Sequence, residues 1–268
     1  MFFEYVKNFT DYKLFSTAHI LFFVVAIILS VGVSIALRNR SERAKRIVLI
    51  VSAALIVFNF VFLQLWRVWA YANGRGKGIL DKVAYIVMPN EILPFQLCSL
   101  LCYLVPASVI IKKEWFYDAV APICIMGGFL FFFYPDGILN RYAPFSFRVL
   151  ESVLQHTVLL FFGFYLYVSK TANIDIKSIR YPFILMGCIA VVAIFANLLF
   201  GSVDDAVNFL YIRKDILGLG LPSVVTALIM AAIFTAFMFA VLGVCKLVSV
   251  SAKALRKEKK ENDDKPSL

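Results

Sequence analysis

Long apolar runs constrain the fold of this chain more than any other feature. Residues 18–37, AHILFFVVAIILSVGVSIAL, contain one His and no Asp, Glu, Lys or Arg. About 20 apolar residues in a helix cross the roughly 30 Å hydrocarbon core of a bilayer. Several similar runs follow, and 62% of the 268 residues are hydrophobic against 16% charged. The sequence therefore predicts an all-α, polytopic integral membrane protein.

We predict seven transmembrane helices in one domain, residues 1–248, followed by a charged cytoplasmic tail, residues 249–268. The approximate helix limits are 18–37, 47–71, 93–111, 116–134, 149–168, 181–200 and 222–247. Basic residues favour the cytoplasmic side of a membrane. With the N-terminus outside and the C-terminus cytoplasmic, 17 of the 27 basic residues lie inside and 9 outside, with Arg67 within the second span. This bias predicts that orientation.

The formal net charge of +10 does not indicate nucleic acid as a partner. The basic residues fall between the spans and in the tail, where they set topology and contact anionic headgroups. The five cysteines form no Cys-x-x-Cys pair and no Cys/His cluster, so neither zinc nor a disulfide framework is indicated. We expect a multi-pass protein of the cell (plasma) membrane, with phospholipids as partners, no metal and no cofactor.

Polar side chains inside the predicted spans cluster at one depth. Burying such a group in hydrocarbon costs free energy, so we expect each to have a hydrogen-bonding partner or a functional role. In the predicted orientation, nearly all of them fall in the outer half of the bilayer, on five helices: His19, Asn59, Gln64, Arg67, Gln96, Cys98, Ser99, Glu151, Ser152, Gln155, His156 and Asn197. This common depth predicts one polar cavity that opens to the outer leaflet.

Within this polar layer, Cys98 and His156 are the candidate pair of nucleophile and base. From the predicted helix starts, Cys98 lies about 7–8 Å and His156 about 10 Å below the outer end, so the two side chains can meet. An imidazole can accept the thiol proton and so activate the cysteine as a nucleophile. The chain has two His residues, and His19 lies at the predicted membrane edge. The alternative is that Cys98 is a packing residue and His156 bonds to another helix.

Four short motifs carry a family resemblance: FSTAHILFF (15–23), LPFQLCSLL (93–101), LQHTVLLFFGFYLYV (154–168) and ANLLFG with VNFLYIRKD (196–215). Together they resemble the YwaF-like family of bacterial integral-membrane proteins, which is related to the transmembrane protein 164 acyltransferases. The resemblance implies transfer of acyl chains between phospholipids without acyl-CoA. It also implies an essential Cys and His on two different helices, which correspond to Cys98 and His156.

The function expected from the resemblance is phospholipid transacylation through a thioester on Cys98. Gln96, Ser99 or Asn197 would stabilise the oxyanion. Arg67 would bind a lipid phosphate, pair with Glu151 or reach the membrane surface. The full expected substrate-binding set is Gln96, Ser99, Arg67, Glu151, Gln155, Asn197 and Asn208.

Three alternatives stay open at this point. Water as the acceptor would make the same site a lipid hydrolase. A transport or binding protein would use the polar cavity without catalysis. Haem ligation by His19 and His156 is disfavoured by their different depths. In addition, residues 201–222 are rich in turn-forming residues and could form a lid over the outer mouth.

Overall fold

The computed structural model describes residues 16–72, 96–133, 143–173, 175–202, 207–214 and 220–263, without side chains at 70–72, 245 and 247–263. All secondary structure in these residues is helical. The helices are α1 Thr17–Leu37, α2 Glu42–Ala72, α3 Leu97–Ile111, α4 Glu114–Phe133, α5 Phe147–Val168, α6 Arg180–Phe200 and α7 Ser223–Asp263, with a 3₁₀ turn at Phe209–Tyr211 before α7. The predicted all-α fold with seven helices is confirmed.

Six of the seven helices are long and apolar enough to cross a membrane, and α3 is the shorter one. A protein with this many apolar helices is a polytopic membrane protein. Its exposed large apolar side chains lie mainly on α1, α2, α6 and α7, where lipid would cover them.

Three helix ends differ from the predicted limits. Helix α2 begins at Glu42 instead of 47, because charged residues that hydropathy excludes continue the helix, and Lys45 pairs with Glu42 at 2.7 Å. Helix α3 begins at Leu97 instead of 93, because Gln96 has an extended backbone and serves as the N-cap. Helix α7 continues to Asp263, through most of the segment predicted to be a tail.

Helices α4 and α5 form the centre of the bundle. In α4, 83% of the apolar stretch is buried, and in α5 67%, whereas α7 has 11%. Helix α5 packs against α4, α1 and α2, and α3 lies between α2 and α4. The polar face of α5 therefore points into protein and not into lipid.

Two glycines allow α4 and α5 to approach closely. A Cβ atom at Gly163 of α5 would lie 2.6 Å from the carbonyl oxygen of Ala121 on α4. A Cβ at Gly128 of α4 would lie 3.0 Å from the carbonyl oxygen of His156 on α5. Small residues at such contacts let membrane helices pack backbone against backbone. This contact fixes the position of the α5 segment that carries His156.

Candidate functional site

The polar residues of α5 are buried on one side of the helix. Glu151, Ser152, Gln155 and His156 are each no more than 6% exposed. Residues three and four apart share a helix face, so these four side chains form a polar face over two successive turns. That face points into the bundle interior.

Asn59 of α2 connects two of these side chains. Its Nδ2 lies 3.0 Å from Glu151 Oε1, 3.0 Å from Gln155 Oε1 and 3.1 Å from the Glu151 carbonyl oxygen. The other carboxylate oxygen of Glu151 forms an ion pair with Arg148, in the first turn of α5. Asn59 was predicted to belong to the polar layer but not to the substrate-binding set, and Arg148 was in neither. Arg148 could have been selected as the i−3 neighbour of Glu151.

Gln155 also links α5 to α3. Its Nε2 donates to the Cys102 sulfur at 3.0 Å, and Cys102 Sγ donates to the Cys98 carbonyl oxygen at 3.4 Å. Cys102 is therefore part of the polar network. Cys98 lies one turn, about 6 Å, before Cys102 on α3. The two cysteines therefore extend the α5 network to the N-terminal end of α3.

Cys98 lies in the first turn of α3, closer to the helix start than predicted. The first hydrogen bond along the helix runs from the Leu100 N–H to the Gln96 carbonyl oxygen at 2.9 Å. Cys98 is thus at the positive end of the helix dipole, which stabilises a thiolate. The hydroxyl and N–H of Ser99 lie beside the thiol, and the guanidinium of Arg148 is near enough to act on it electrostatically.

The imidazole of His156 is held by α5 itself and by α4. Its Nδ1 lies 2.7 Å from the Ser152 carbonyl oxygen, and its ring stacks on Phe131 with 3.9 Å between centroids. A carbonyl oxygen can only accept, so Nδ1 carries the proton and Nε2 is the basic nitrogen of the neutral ring. Within the described residues, no hydrogen bond joins His156 to Cys98. Gln155 and Cys102 link α5 to α3 at this level, without a bond to the His156 ring.

His19 lies in the first turn of α1 and is buried. Its Nε2 is 2.7 Å from the carbonyl oxygen of Phe132, next to the residue that stacks on His156. The end of α4 thus lies against both imidazoles. Among the described residues, no group of three or more His, Cys, Asp and Glu side chains is placed to hold a metal ion.

The segment 207–214, which we call the outer segment, is tied to α6 and to α3. Asn197 of α6 donates to the Phe209 carbonyl oxygen at 3.1 Å and accepts from the Phe209 N–H at 2.8 Å. Gln96, the α3 N-cap, donates to the Asn208 carbonyl oxygen at 3.1 Å. The outer segment is therefore attached two residues from Cys98. It is the longest described part of the predicted lid, of which residues 201–202 and 220–222 are also described.

Asn208 orders the outer segment from within. Its Oδ1 accepts from the N–H groups of Arg213 and Lys214 at 2.8 and 3.0 Å, and its Nδ2 donates to the Lys214 carbonyl oxygen. Both Asn197 and Asn208 were predicted to bind substrate or an oxyanion. In the structure their amides bind the backbone, so they fit a supporting role better.

Arg67 directly follows Trp66 and lies three residues after Gln64, near the C-terminal end of α2. Its Nη1 is 3.5 Å from Gln64 Oε1, and it also acts electrostatically on Glu151. The ion pair that the structure shows for Glu151 is the one with Arg148. The interaction of Arg67 with Glu151 is therefore longer in range than the direct pair that was predicted.

The model of the TMEM164 family matches residues 14–243, which include every helix except the far end of α7. No curated protein and no solved structure matches the chain. The family match covers all the residues of the polar network described above. It confirms the resemblance read from the four sequence motifs.

Proposed function

Because the chain belongs to the TMEM164 family, we propose that it is a phospholipid acyltransferase of the cell membrane that uses Cys98 as nucleophile and His156 as base. The observation that carries the proposal is the position of Cys98 in the first turn of α3, across a hydrogen-bonded bridge from the α5 face that holds His156. Burial in the apolar layer opposes ionisation of the Cys98 thiol, and the helix N-terminus and the nearby guanidinium are the groups that counteract it.

The orientation of His156 supports its role as the base. With Nδ1 bonded to the Ser152 carbonyl oxygen, Nε2 is the nitrogen able to accept a proton. Stacking on Phe131 limits rotation of the ring. Catalytic hydrogen bonds are often long before substrate binds and tighten in the complex. We therefore expect the Cys98–His156 contact to form when a lipid ester occupies the space beside α3.

In the first half-reaction, His156 Nε2 takes the thiol proton and the Cys98 thiolate attacks an ester carbonyl of the donor phospholipid. A carbon–sulfur bond forms, the ester carbon–oxygen bond breaks, and the imidazolium returns the proton to the departing lysophospholipid oxygen. The Ser99 hydroxyl, the Gln96 amide and the N–H groups of the first turn of α3 are the candidate donors to the oxyanion.

In the second half-reaction, a hydroxyl group of an acceptor lysophospholipid attacks the thioester. His156 Nε2 takes the hydroxyl proton, the new ester carbon–oxygen bond forms, and the carbon–sulfur bond breaks. The imidazolium then returns that proton to the Cys98 sulfur, which regenerates the thiol. Donor and acceptor are both membrane lipids, and the cycle is balanced without acyl-CoA or any other cofactor. Water in place of the acceptor hydroxyl would give hydrolysis.

The test is acyl transfer from a fluorescent phospholipid to the purified protein in detergent. We expect a hydroxylamine-sensitive label on the wild type and on Cys188→Ala, a control at an exposed thiol. The label should be absent from Cys98→Ala. Cys102→Ala distinguishes labelling at Cys98 from labelling at the second thiol of α3, and this variant should retain the label. A fully labelled Cys98→Ala protein would contradict the proposal.

The same experiment separates the remaining alternatives. Adding an unlabelled lysophospholipid to the labelled protein should produce fluorescent diacyl phospholipid. Release of fluorescent free fatty acid alone would identify a hydrolase. A wild-type protein that never carries a label, although it binds the phospholipid, would identify a binding or transport protein that uses the polar network without catalysis.

A further inference from the structure

We propose that the cavity between the starts of α4 and α6 binds the headgroup of a zwitterionic phospholipid. The ammonium group lies at the carboxylates of α4, and the phosphate lies at the basic residues just before α6 and in its first turn. Cys98 is at the start of α3 and Lys113 follows the end of that helix, roughly 20 Å away along its axis. The cavity is therefore a second lipid site, which does not depend on the proposed acyl transfer.

The cavity lies where the α5–α6 connection meets the first two turns of α4. Its volume is about 400 Å³, within the range of ~300–1,000 Å³ that is usual for small-molecule sites. Exposed residues such as Trp115 and Lys177 line it, so it opens to the surface. The rings of Trp115 and Tyr181 also line it, with 6.4 Å between their centroids. Tryptophan and tyrosine are enriched where a membrane meets water, so these rings place the cavity at the level of the lipid headgroups.

The charged side chains that line the cavity balance each other. Three are acidic and three are basic: Glu114, Asp118, Asp175, Lys113, Lys177 and Arg180. In the described part of the chain, no acidic member of this set forms an ion pair with a basic one. The two signs are therefore kept apart within a cavity of no net charge. A zwitterion also carries two separated charges and no net charge, so it matches this arrangement better than an anion does.

Asp118 is the buried carboxylate of this set. It is 4% exposed and lines the cavity from the second turn of α4. The Asn173 N–H donates to its Oδ1 at 2.7 Å, whereas the bond described for Oδ2 is a long one, 3.4 Å from Asn173 Nδ2. That amide nitrogen is already 2.7 Å from Glu114 Oε1. A buried carboxylate without a cation costs free energy. An ammonium group between Asp118 and Glu114, which are i+4 neighbours on one face of α4, would offset that cost.

The basic side of the cavity suits a phosphate. Lys177 is exposed and makes no hydrogen bond or ion pair with another described residue. Arg180 uses Nη2 on the Tyr181 hydroxyl at 2.9 Å, and a guanidinium has further N–H donors. Asp175 accepts the Ser178 N–H at 2.7 Å instead of pairing with either cation. The positive end of the α6 dipole adds to both charges. The two cations and the start of α6 therefore form the phosphate side of the site.

The surroundings favour a membrane lipid as the source of this headgroup. In α6, 22% of the apolar stretch is buried, so most of that helix faces lipid. Ile184, four residues after Arg180, is 61% exposed and begins this apolar surface. The acyl chains of a lipid whose headgroup occupies the cavity can therefore lie along α6.

Binding can be measured in the full-length Cys98→Ala protein, which lacks the proposed nucleophile. The probes are dihexanoylphosphatidylethanolamine, dihexanoylphosphatidylglycerol, which has the same chains and a phosphate but no ammonium, and phosphoethanolamine, the headgroup alone. The shift of the thermal unfolding midpoint with probe concentration gives each affinity. We expect the ethanolamine lipid to bind about tenfold more tightly than the glycerol lipid, since one charge-assisted hydrogen bond contributes that much. Phosphoethanolamine should bind at least about tenfold more weakly than its lipid, because it buries no acyl chain.

Substitutions should then locate the site. Asp118→Asn keeps the shape of the side chain and its bond to the Asn173 N–H but removes the charge. It should weaken binding of the ethanolamine lipid about tenfold and leave binding of the glycerol lipid unchanged. Arg180→Gln should weaken binding of both lipids about two- to fivefold, because it removes an exposed charge. The matched controls are Glu42→Gln and Arg40→Gln, two exposed charges in and next to the α1–α2 connection, and both should bind like the parent.

Unchanged binding of the ethanolamine lipid in Asp118→Asn would overturn the site, and tighter binding of the glycerol lipid by the parent would identify an anion site instead. Equal affinity for phosphoethanolamine and its lipid would contradict a membrane source. If Asp118→Asn does not fold, Glu114→Gln at an exposed position decides: it should weaken the ethanolamine lipid about two- to fivefold, and no change would reject the proposal. Because the assayed protein has no Cys98 thiol, failure of this site and failure of acyl transfer are separate results.

Discussion

The close contact between α4 and α5 gives a quantitative prediction at Gly163. An alanine there would place its Cβ 2.6 Å from the Ala121 carbonyl oxygen, 2.6 Å from Ile125 Cγ1 and 3.1 Å from the Ile125 nitrogen. Two of these three atoms are backbone, so a side-chain rotation cannot relieve the overlap. Overpacking of this kind costs about 1–3 kcal/mol.

A matched control isolates that cost. Gly187 is also inside a helix, α6, but a Cβ there would meet nothing within 4 Å. Both glycine-to-alanine changes gain roughly 1 kcal/mol of helix propensity. Because this gain is common to both variants, the difference in unfolding free energy between Gly163→Ala and Gly187→Ala equals the overpacking cost. We expect Gly163→Ala to be less stable than Gly187→Ala by about 1–3 kcal/mol.

The assay is denaturant unfolding of both variants in the same detergent, followed by tryptophan fluorescence. Gly163→Ala should also show weaker acyl labelling of Cys98, since displacement of α5 moves His156, two turns away on the same helix. Equal stability of the two variants would refute the close packing of α4 on α5. Gly187→Ala should keep both the wild-type label and at least the wild-type stability.

Three further predictions concern the residues that hold the site in place. Asn59→Leu should cost about 2–4 kcal/mol in unfolding free energy, because it leaves a buried carboxylate and a buried amide without their common donor. Asn197→Ala should increase protease cleavage within the outer segment several-fold while the helices stay folded, because both amide bonds to that segment are lost. Phe131→Leu should lower stability by about 0.5–1.5 kcal/mol in thermal unfolding and reduce acyl labelling, because the His156 ring loses its stacking partner, whereas Phe131→Tyr should label normally.

The sequence predicted the spans well because the apolar runs are long and strongly bounded. The α5 limits of 149–168 compare with Phe147–Val168 in the structure. The errors arise where a helix leaves the apolar region. Hydropathy marks the thickness of the hydrocarbon and not the end of hydrogen bonding, so it ended α7 too early and started α2 too late.

It was also predictable that polar residues of α2, α3 and α5 meet inside the bundle, but their individual contacts were not. The rise per residue places Cys98 and His156 near one layer, yet it does not give the rotation of each helix about its axis. That rotation directs Gln155 toward Cys102 and the His156 ring toward Phe131. The start of α3 depends on the backbone of Gln96, which a run of apolar letters does not reveal. These details decide which side chain faces the thiol.

The length of α7 makes it a rigid spacer as well as a membrane span. Its apolar stretch ends at Val244, and the helix continues to Asp263, about 28 Å further along its axis. A fluorophore attached after Val244 would lie at the headgroups, whereas one attached at Asp263 would stand well away from them. Fluorescence energy transfer to a dye in one leaflet would then measure how far the helix extends from the membrane. It would also show on which side of the bilayer the helix emerges.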